Sequence, residues 1–399
     1  MQHAEKVESN TSKENFVKID LPIGYHKFHP VTHINFQINR WYSSGGFTYD
    51  EAVYAGRHIE NFEDWKRVWV ELGDKALKEG RTRNAAFCYR SAHFFTNPND
   101  PDKHRLYDKF MNLFYDVHGN DPIEVYEVPY KHGKLHTLKL TPKNPKGTFV
   151  MHGGGDSFGE EFLCYMEILY HRGYEVINFE GPGQGSALHN YRMPFEYDWE
   201  NCTRTVLDYF NIKECAFMGI SFGGWFCVRA AAYEPRIKQL IVFNVIYDSL
   251  ACITSKMPLI GRILFKFMLR HGPKSLFNLM MKKKGQKDSF VQFLIENSCF
   301  AFNTNNPFDA YRYYLNFVPE KLASHRIRAD VLLTCATEDH FVPTTMIEEQ
   351  EKAMTNARSI EKRYFTKEEH ASAHCAVGNV PMAINCFADW LDKKLKVKG

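Results

Sequence analysis

From residue 121 onward, short apolar runs alternate with segments whose apolar residues recur at helical spacing, and this alternation constrains the fold more than any other feature. The candidate strands are IEVYEVPY (123–130), LHTLKLT (135–141), TFVMHG (148–153), YEVINFEG (174–181), CAFMGIS (215–221), QLIVFNVIY (239–247), DVLLTCATED (330–339) and IEKRYFT (360–366). The first two alternate apolar with polar residues around Lys131-His132-Gly133-Lys134, the pattern of an antiparallel hairpin. The later runs are more continuously apolar, as parallel strands covered on both faces must be. EEFLCYMEILYHRG, YDWENCTRTVLDYFNI and WFCVRAAAYEP supply helices between them. The order predicts a doubly wound α/β sheet of eight mostly parallel strands.

The chain before residue 121 reads differently. Helical spacing runs from Tyr49 to Lys78, from Arg81 to Phe95 and from Lys103 to His118, with NPNDPDK as the loop and helix start between the last two. The opening MQHAEKVESNTSKEN is polar, has no apolar signal core and reads as an unstructured lead-in over 1–15. Between Tyr247 and Asp330 lie about 80 residues holding MPLIGRILFKFMLRH, FNLMMKKK, DSFVQFLIEN and FDAYRYYLNFV. A structureless loop of that size does not fit a compact domain, so the segment is expected to be an inserted helical cap. The expected division is a helical N-terminal domain (1–120), a core in two parts (121–249 and 328–399) and the cap (250–327).

Composition narrows the function. A net charge of +3 leaves no basic field for nucleic acid, and no apolar run reaches the ~20 residues that span a bilayer. The ten cysteines are scattered without a C-x-x-C pair, which fits a reducing cytoplasm, and no zinc spacing appears among the 18 histidines. No metal and no cofactor are expected.

The chemistry centres on GISFGG, residues 219–224, where an apolar run passes into a helical one. Glycine and serine punctuate ordinary turns, but a Gly-x-Ser-x-Gly elbow also presents a nucleophilic serine at a strand end. Ser221 falls at the C-terminal end of the fifth strand, the edge where open α/β sheets carry their sites. Such a serine needs a base and an acid to orient it, which follow in the order serine, acid, histidine. Asp339 leaves the sheet just past the seventh strand, with Glu338 and Asp248 as rival acids. Past the eighth strand His370 and His374 share a loop; His374 is preferred because it directly precedes the final helix. His340, His152 and His189 read as structural or substrate-facing. The loop His152-Gly153-Gly154-Gly155-Asp156 supplies an oxyanion amide at Gly154, and Phe222 the other. Gly155 and Asp248 are candidate substrate contacts.

VMHGGGDS, FEGPGQGS, GISFGG, ATEDHFVP and EEHASAHCAVGN together resemble the α/β-hydrolase group of dihydropseudooxynicotine hydrolase and the fungal pigment hydrolases that shorten polyketide chains. The bacterial fermentation–respiration switch proteins are more distant. INFQINRWYSSGG and VPYKHGKLHTLKL extend the resemblance over about residues 30 to 390. It implies an α/β-hydrolase fold with a helical N-terminal domain closing over a Ser-His-Asp site, a homodimer in some members, and cleavage of C–C bonds beside a ketone. The expected reaction is therefore C–C cleavage of a β-dicarbonyl, aryl-ketone or polyketide-like small molecule. An ester or thioester would suit the same apparatus, and a hydrolase-like binding protein would have lost the triad.

Overall fold

A computed structural model describes residues 15–396, so all but the last residue of the expected lead-in lies outside the described residues. Five helices come first: α1 (Thr32–Ser43), α2 (Tyr49–His58), α3 (Phe62–Lys78), α4 (Thr82–Phe95) and α5 (Asp102–His118). Two features depart from the spacing. Helix α1 was not among the expected helices, and the segment from Tyr49 to Lys78 is two helices rather than one. Local capping explains the break. The Asn61 side chain accepts from the Asp64 amide at 2.9 Å and starts α3, while Thr48 and Glu51 form a reciprocal capping box at the start of α2.

The sheet is built from β1 (Glu124–Tyr130), β2 (Gly133–Leu140), β3 (Thr148–His152), β4 (Glu175–Phe179), β5 (Cys215–Ile220), β6 (Ile237–Phe243), β7 (Asp330–Ala336) and β8 (Ser359–Phe365), all eight expected runs. Their order is β1-β2-β4-β3-β5-β6-β7-β8, with β2 antiparallel to both neighbours and every other pair parallel. After β3 the chain moves to β4 on one side and then to β5 on the other. The loops leaving β3 and β5 therefore diverge, and a crevice opens between them at the C-terminal edge.

Side chains alternate across the sheet as the strand period demands. Met151, Met218 and Phe243 enter one core with α6 (Leu163–His171) and α17 (Val380–Lys396). Val150, Phe217 and Val242 enter the other with α8 (Glu200–Tyr209), α9 (Gly223–Tyr233) and α16 (Met346–Ala353); a short α7 (Gly185–His189) follows β4. Trp41, Trp65, Trp69 and Phe110 of the N-terminal helices belong to the first core, which runs unbroken from them to the sheet.

Between β6 and β7 lie α10 (Ser249–Thr254), α11 (Leu259–His271), α12 (Lys274–Gly285), α13 (Ser289–Ala301), α14 (Pro307–Tyr313) and α15 (Pro319–Leu322). They form a helical cap with its own small core around Leu269, Phe277 and Tyr311. Among the described residues no helix is long and apolar enough to cross a membrane, and all ten cysteines are unpaired.

Candidate active site

Ser221 occupies the reversal between β5 and α9 with φ of 60°, a left-handed conformation that side-chain-bearing residues seldom adopt. Its amide donates to the Phe243 carbonyl at 2.5 Å and its carbonyl accepts from the Gly224 amide at 2.8 Å. The turn is tight enough that a Cβ on Gly219 would lie 1.9 Å from the Gly223 carbonyl oxygen. Only glycine fits there.

His374 lies in the loop between β8 and α17 and is 5% exposed. Its Nε2 is 2.7 Å from Ser221 Oγ, and its Nδ1 is 2.6 Å from Oδ2 of Asp339, just past β7. The Asp339 side chain is fully buried. Its Oδ1 accepts from the Phe341 and Val342 amides at 2.8 and 3.0 Å, and its Oδ2 also accepts from Asn244 Nδ2 at 2.7 Å. An ionised carboxylate only accepts, so Nδ1 carries the ring hydrogen of neutral His374 and Nε2 is left to accept the serine hydroxyl. Burial favours the neutral form of each group, but the pair prevails. Asp339 holds the His374 pKa well above the ordinary 6.5, and His374 with the two amides holds the Asp339 carboxyl below its usual range.

The rivals are placed elsewhere. Glu338 is exposed and accepts from Ser372 Oγ at 2.6 Å. His370 is exposed on the turn before His374. Asp248, a rival acid and candidate substrate contact, caps α10 by accepting at Oδ1 from the Ala251 amide at 3.1 Å, and it is not among the residues that line the Ser221 cavity. His152 is fully buried among Phe179, Trp199 and Phe217, where burial lowers its pKa to about 4. His189 stacks on Tyr107, away from Ser221's cavity. His340 does line that cavity, packed on Phe341 with its pKa lowered to about 4, chiefly by burial.

The glycine loop after β3 lies directly over the elbow. A Cβ on Gly154 would come within 2.9 Å of Ser221 Cβ and 3.1 Å of the Phe222 amide nitrogen. The Gly154 amide, however, donates to Ser157 Oγ at 3.1 Å. Among the described residues the amides of Gly155 and Phe222 have no acceptor. Gly155, expected as a substrate contact, thus carries the free donor expected at Gly154. Gln184, from the glycine-rich turn after β4, braces the loop through Nε2 to the carbonyls of Gly153 and Gly154 at 2.8 and 2.7 Å.

Ser221, Phe222, Gly155 and His374 open into a cavity of about 650 Å³, within the range that holds small-molecule ligands. Among its other walls are His33 and Phe36 of α1, Phe290 and Leu294 of α13, and Tyr311 and Tyr314 in and just after α14. The cap and the first helix together close over the serine.

A strained serine beside a buried, oriented histidine and two free amides is the equipment of acyl transfer. The profile of the alpha/beta hydrolase family matches residues 149–377, more than half of the chain. The chain belongs to the α/β hydrolase family. Among its relatives is hydrolase acrC of Aspergillus aculeatus, 24% identical over 426 residues, covering 93% of this chain and 99% of that one. Another is 20-hydroxy-prefusarin hydrolase FUS2 of Gibberella moniliformis, 24% identical and covering 84% of this α/β hydrolase and 89% of FUS2. In fold it is similar to 2,6-dihydroxy-pseudo-oxynicotine hydrolase, at a TM-score of 0.63 and 18% identity over 88% of this chain and 94% of that one.

Two residues of the α/β hydrolase site escaped the sequence reading. Asn244, one residue past β6, was signalled only as a polar residue inside the apolar run 239–247, and Gln184 only as a long polar side chain among glycines. Neither signal says where the side chain points.

Proposed function

We propose that this α/β hydrolase cleaves a C–C bond next to a ketone in a β-dicarbonyl, aryl-ketone or polyketide-like small molecule, with Ser221 as nucleophile, His374 as base and Asp339 as the acid that orients it. The observation that carries this reading is the hydrogen-bonded chain Ser221–His374–Asp339 opening into an aromatic-walled cavity under the cap. Ser221 Oγ adds to the carbonyl carbon while His374 Nε2 takes its proton, and the negative oxygen that forms is held by the Gly155 and Phe222 amides. Collapse of this intermediate breaks the C–C bond, and the electron pair leaves as an enolate because the second carbonyl delocalises it. The imidazolium of His374 returns the proton to that carbon. Water, deprotonated by the same nitrogen, then releases the acyl group and restores the serine. No redox partner or metal enters the balance.

Incubating the protein with matched 1,3-diketones, acyl esters and thioesters, and identifying products by mass, tests the reading. Turnover of diketones supports it; turnover of esters or thioesters alone replaces it with an esterase or thioesterase. The boundaries 1–120, 121–249, 250–327 and 328–399 and a homodimer belong to the same proposal, and limited proteolysis and light scattering test them.

A further inference from the structure

Beside the main cavity, and sharing Gly155 and Asp156 with it, lies a second cavity of about 30 Å³. A single water needs roughly 10–15 Å³ by this measure, so the space suits two oxygens rather than a ring or a chain. Its ionisable lining is Arg90, His93, Lys103 and His189, with Asp156 as the one acid. Such a concentration of donors beside the amide proposed to hold the reacting oxygen calls for an accounting of their partners.

The two nearby arginines are matched. Arg90 pairs with Glu161 at 2.7 Å; Arg40 pairs with Glu161 at 3.0 Å and with Asp156 at 3.3 Å. Lys103 is not matched. It is 6% exposed, and its Nζ donates only to the backbone carbonyls of His93 and Phe94, at 2.8 and 3.4 Å; among the described residues no carboxylate lies within ion-pair distance. When protonated it has three donors, so one is left over for an anion in the cavity. His93 adds another. Arg90 Nη1 can only donate, and it sits 3.3 Å from His93 Nδ1. Nδ1 of neutral His93 must therefore accept, which puts the ring hydrogen on Nε2, and that buried atom has no partner. Burial holds His93 well below the ordinary histidine pKa, in keeping with the neutral ring. Burial, with the Arg90 charge nearby, pulls the Lys103 pKa well below the ordinary lysine range, as a buried amine without a carboxylate requires. A carboxylate brought into the cavity would restore its charge, and a buried N–H without an acceptor likewise costs stability until an acceptor is supplied.

We infer that this cavity is an anion subsite that receives a carboxylate of the substrate, held by Lys103 Nζ and His93 Nε2–H. It rests on the proposed function and narrows it: the ketone substrate is an acid, its carboxylate a short spacer away from the carbonyl held by Gly155 and Phe222. A hydrogen on Gly155 is all that stands on that part of the wall, since a Cβ there would touch only the Phe222 ring, at 3.8 Å.

The test is equilibrium binding to the Ser221→Ala protein by titration calorimetry, so that it does not depend on turnover. Its ligands are pairs of 1,3-diketones that end in a carboxylate or in the corresponding carboxamide, over a series of spacer lengths. At the fitting spacer the acid should bind at least tenfold more tightly than the amide. Lys103→Met and, separately, His93→Phe should bring the two ligands to within threefold of each other. If Lys103→Met fails the check of fold by circular dichroism, His93→Phe carries the comparison, since its ring keeps the packing. Equal affinities at every spacer, or a preference that survives in the folded variants, overturns the subsite. Failure of the parent reading shows separately, as tight acid binding to Ser221→Ala with no diketone turnover by the wild-type protein. Free acetate tested alone marks the other source of carboxylate: protection of the fold by millimolar acetate without any acid preference among the diketones overturns the substrate assignment.

Discussion

Asn244 Nδ2 and His374 Nδ1 converge on one atom, Oδ2 of Asp339, at 2.7 and 2.6 Å. The asparagine steadies the carboxylate's charge and shares its acceptor with the imidazole. Asn244→Ala removes one donor from a fully buried carboxylate, a loss of roughly 1.5–3 kcal/mol for a bond to a charged group. The remaining charge pulls harder on His374, so kcat should fall by about tenfold and the acid limb of the pH profile should move upward. A full pH–rate profile of the folded variant checks both.

Ser221→Ala should lose at least about 10⁴ in kcat, because a triad fails as a unit when its nucleophile is removed. A fluorophosphonate probe should label the wild-type protein at Ser221 and leave the variant unlabelled, as read by peptide mass.

His374→Ala and His370→Ala should separate cleanly. The first removes the group 2.7 Å from Ser221 Oγ and should cost several orders of magnitude in kcat. The second removes an exposed ring on the preceding turn and should stay within about threefold. A larger loss from His370→Ala overturns the choice of base.

The pH dependence follows from which form of His374 works. Only the neutral ring accepts the Ser221 proton, and Asp339 raises the ring's pKa above 6.5. Activity should therefore rise with pH along a limb centred above 6.5, not below it. Asp339→Asn removes the charge that raises the pKa, so the limb should move to lower pH while the maximal rate falls steeply through loss of the correct tautomer. Measuring kcat/KM from acid to alkaline pH for both proteins decides it.

Adjacent glycines in the loop after β3 should respond oppositely. Gly154→Ala places a methyl group 2.9 Å from the Ile220 carbonyl oxygen and from Ser221 Cβ, so the elbow has to shift, and kcat should fall by about 10². Gly155→Ala meets only the Phe222 ring at 3.8 Å and keeps its amide, so turnover of an uncharged ester should stay within about threefold. Steady-state kinetics with that ester, alongside thermal melting, distinguishes the two.

Much of this molecule was legible before any coordinates. All eight strands sit within a few residues of the apolar runs that announced them, because strand period and burial on two faces are properties of short segments. The elbow at Ser221 was legible for the same reason: a turn that admits no Cβ at Gly219 must show glycine in the sequence. What lay beyond local pattern was decided by packing. The break at Asn61 hid inside continuous apolar spacing, since a side-chain cap redirects the backbone without disturbing the period. Which glycine offers a free amide depends on a serine hydroxyl three residues away turning toward Gly154, and Asp248 caps its own helix rather than facing the cavity. The partners of Asp339 and of Lys103 depend on contacts between segments far apart in the chain: Asn244 reaches across 95 residues, and Glu161 reaches back across 71 to neutralise Arg90, while among the described residues no carboxylate forms an ion pair with Lys103. Periodicity determines which face of a segment is buried; only the assembled fold determines what each buried polar atom meets there.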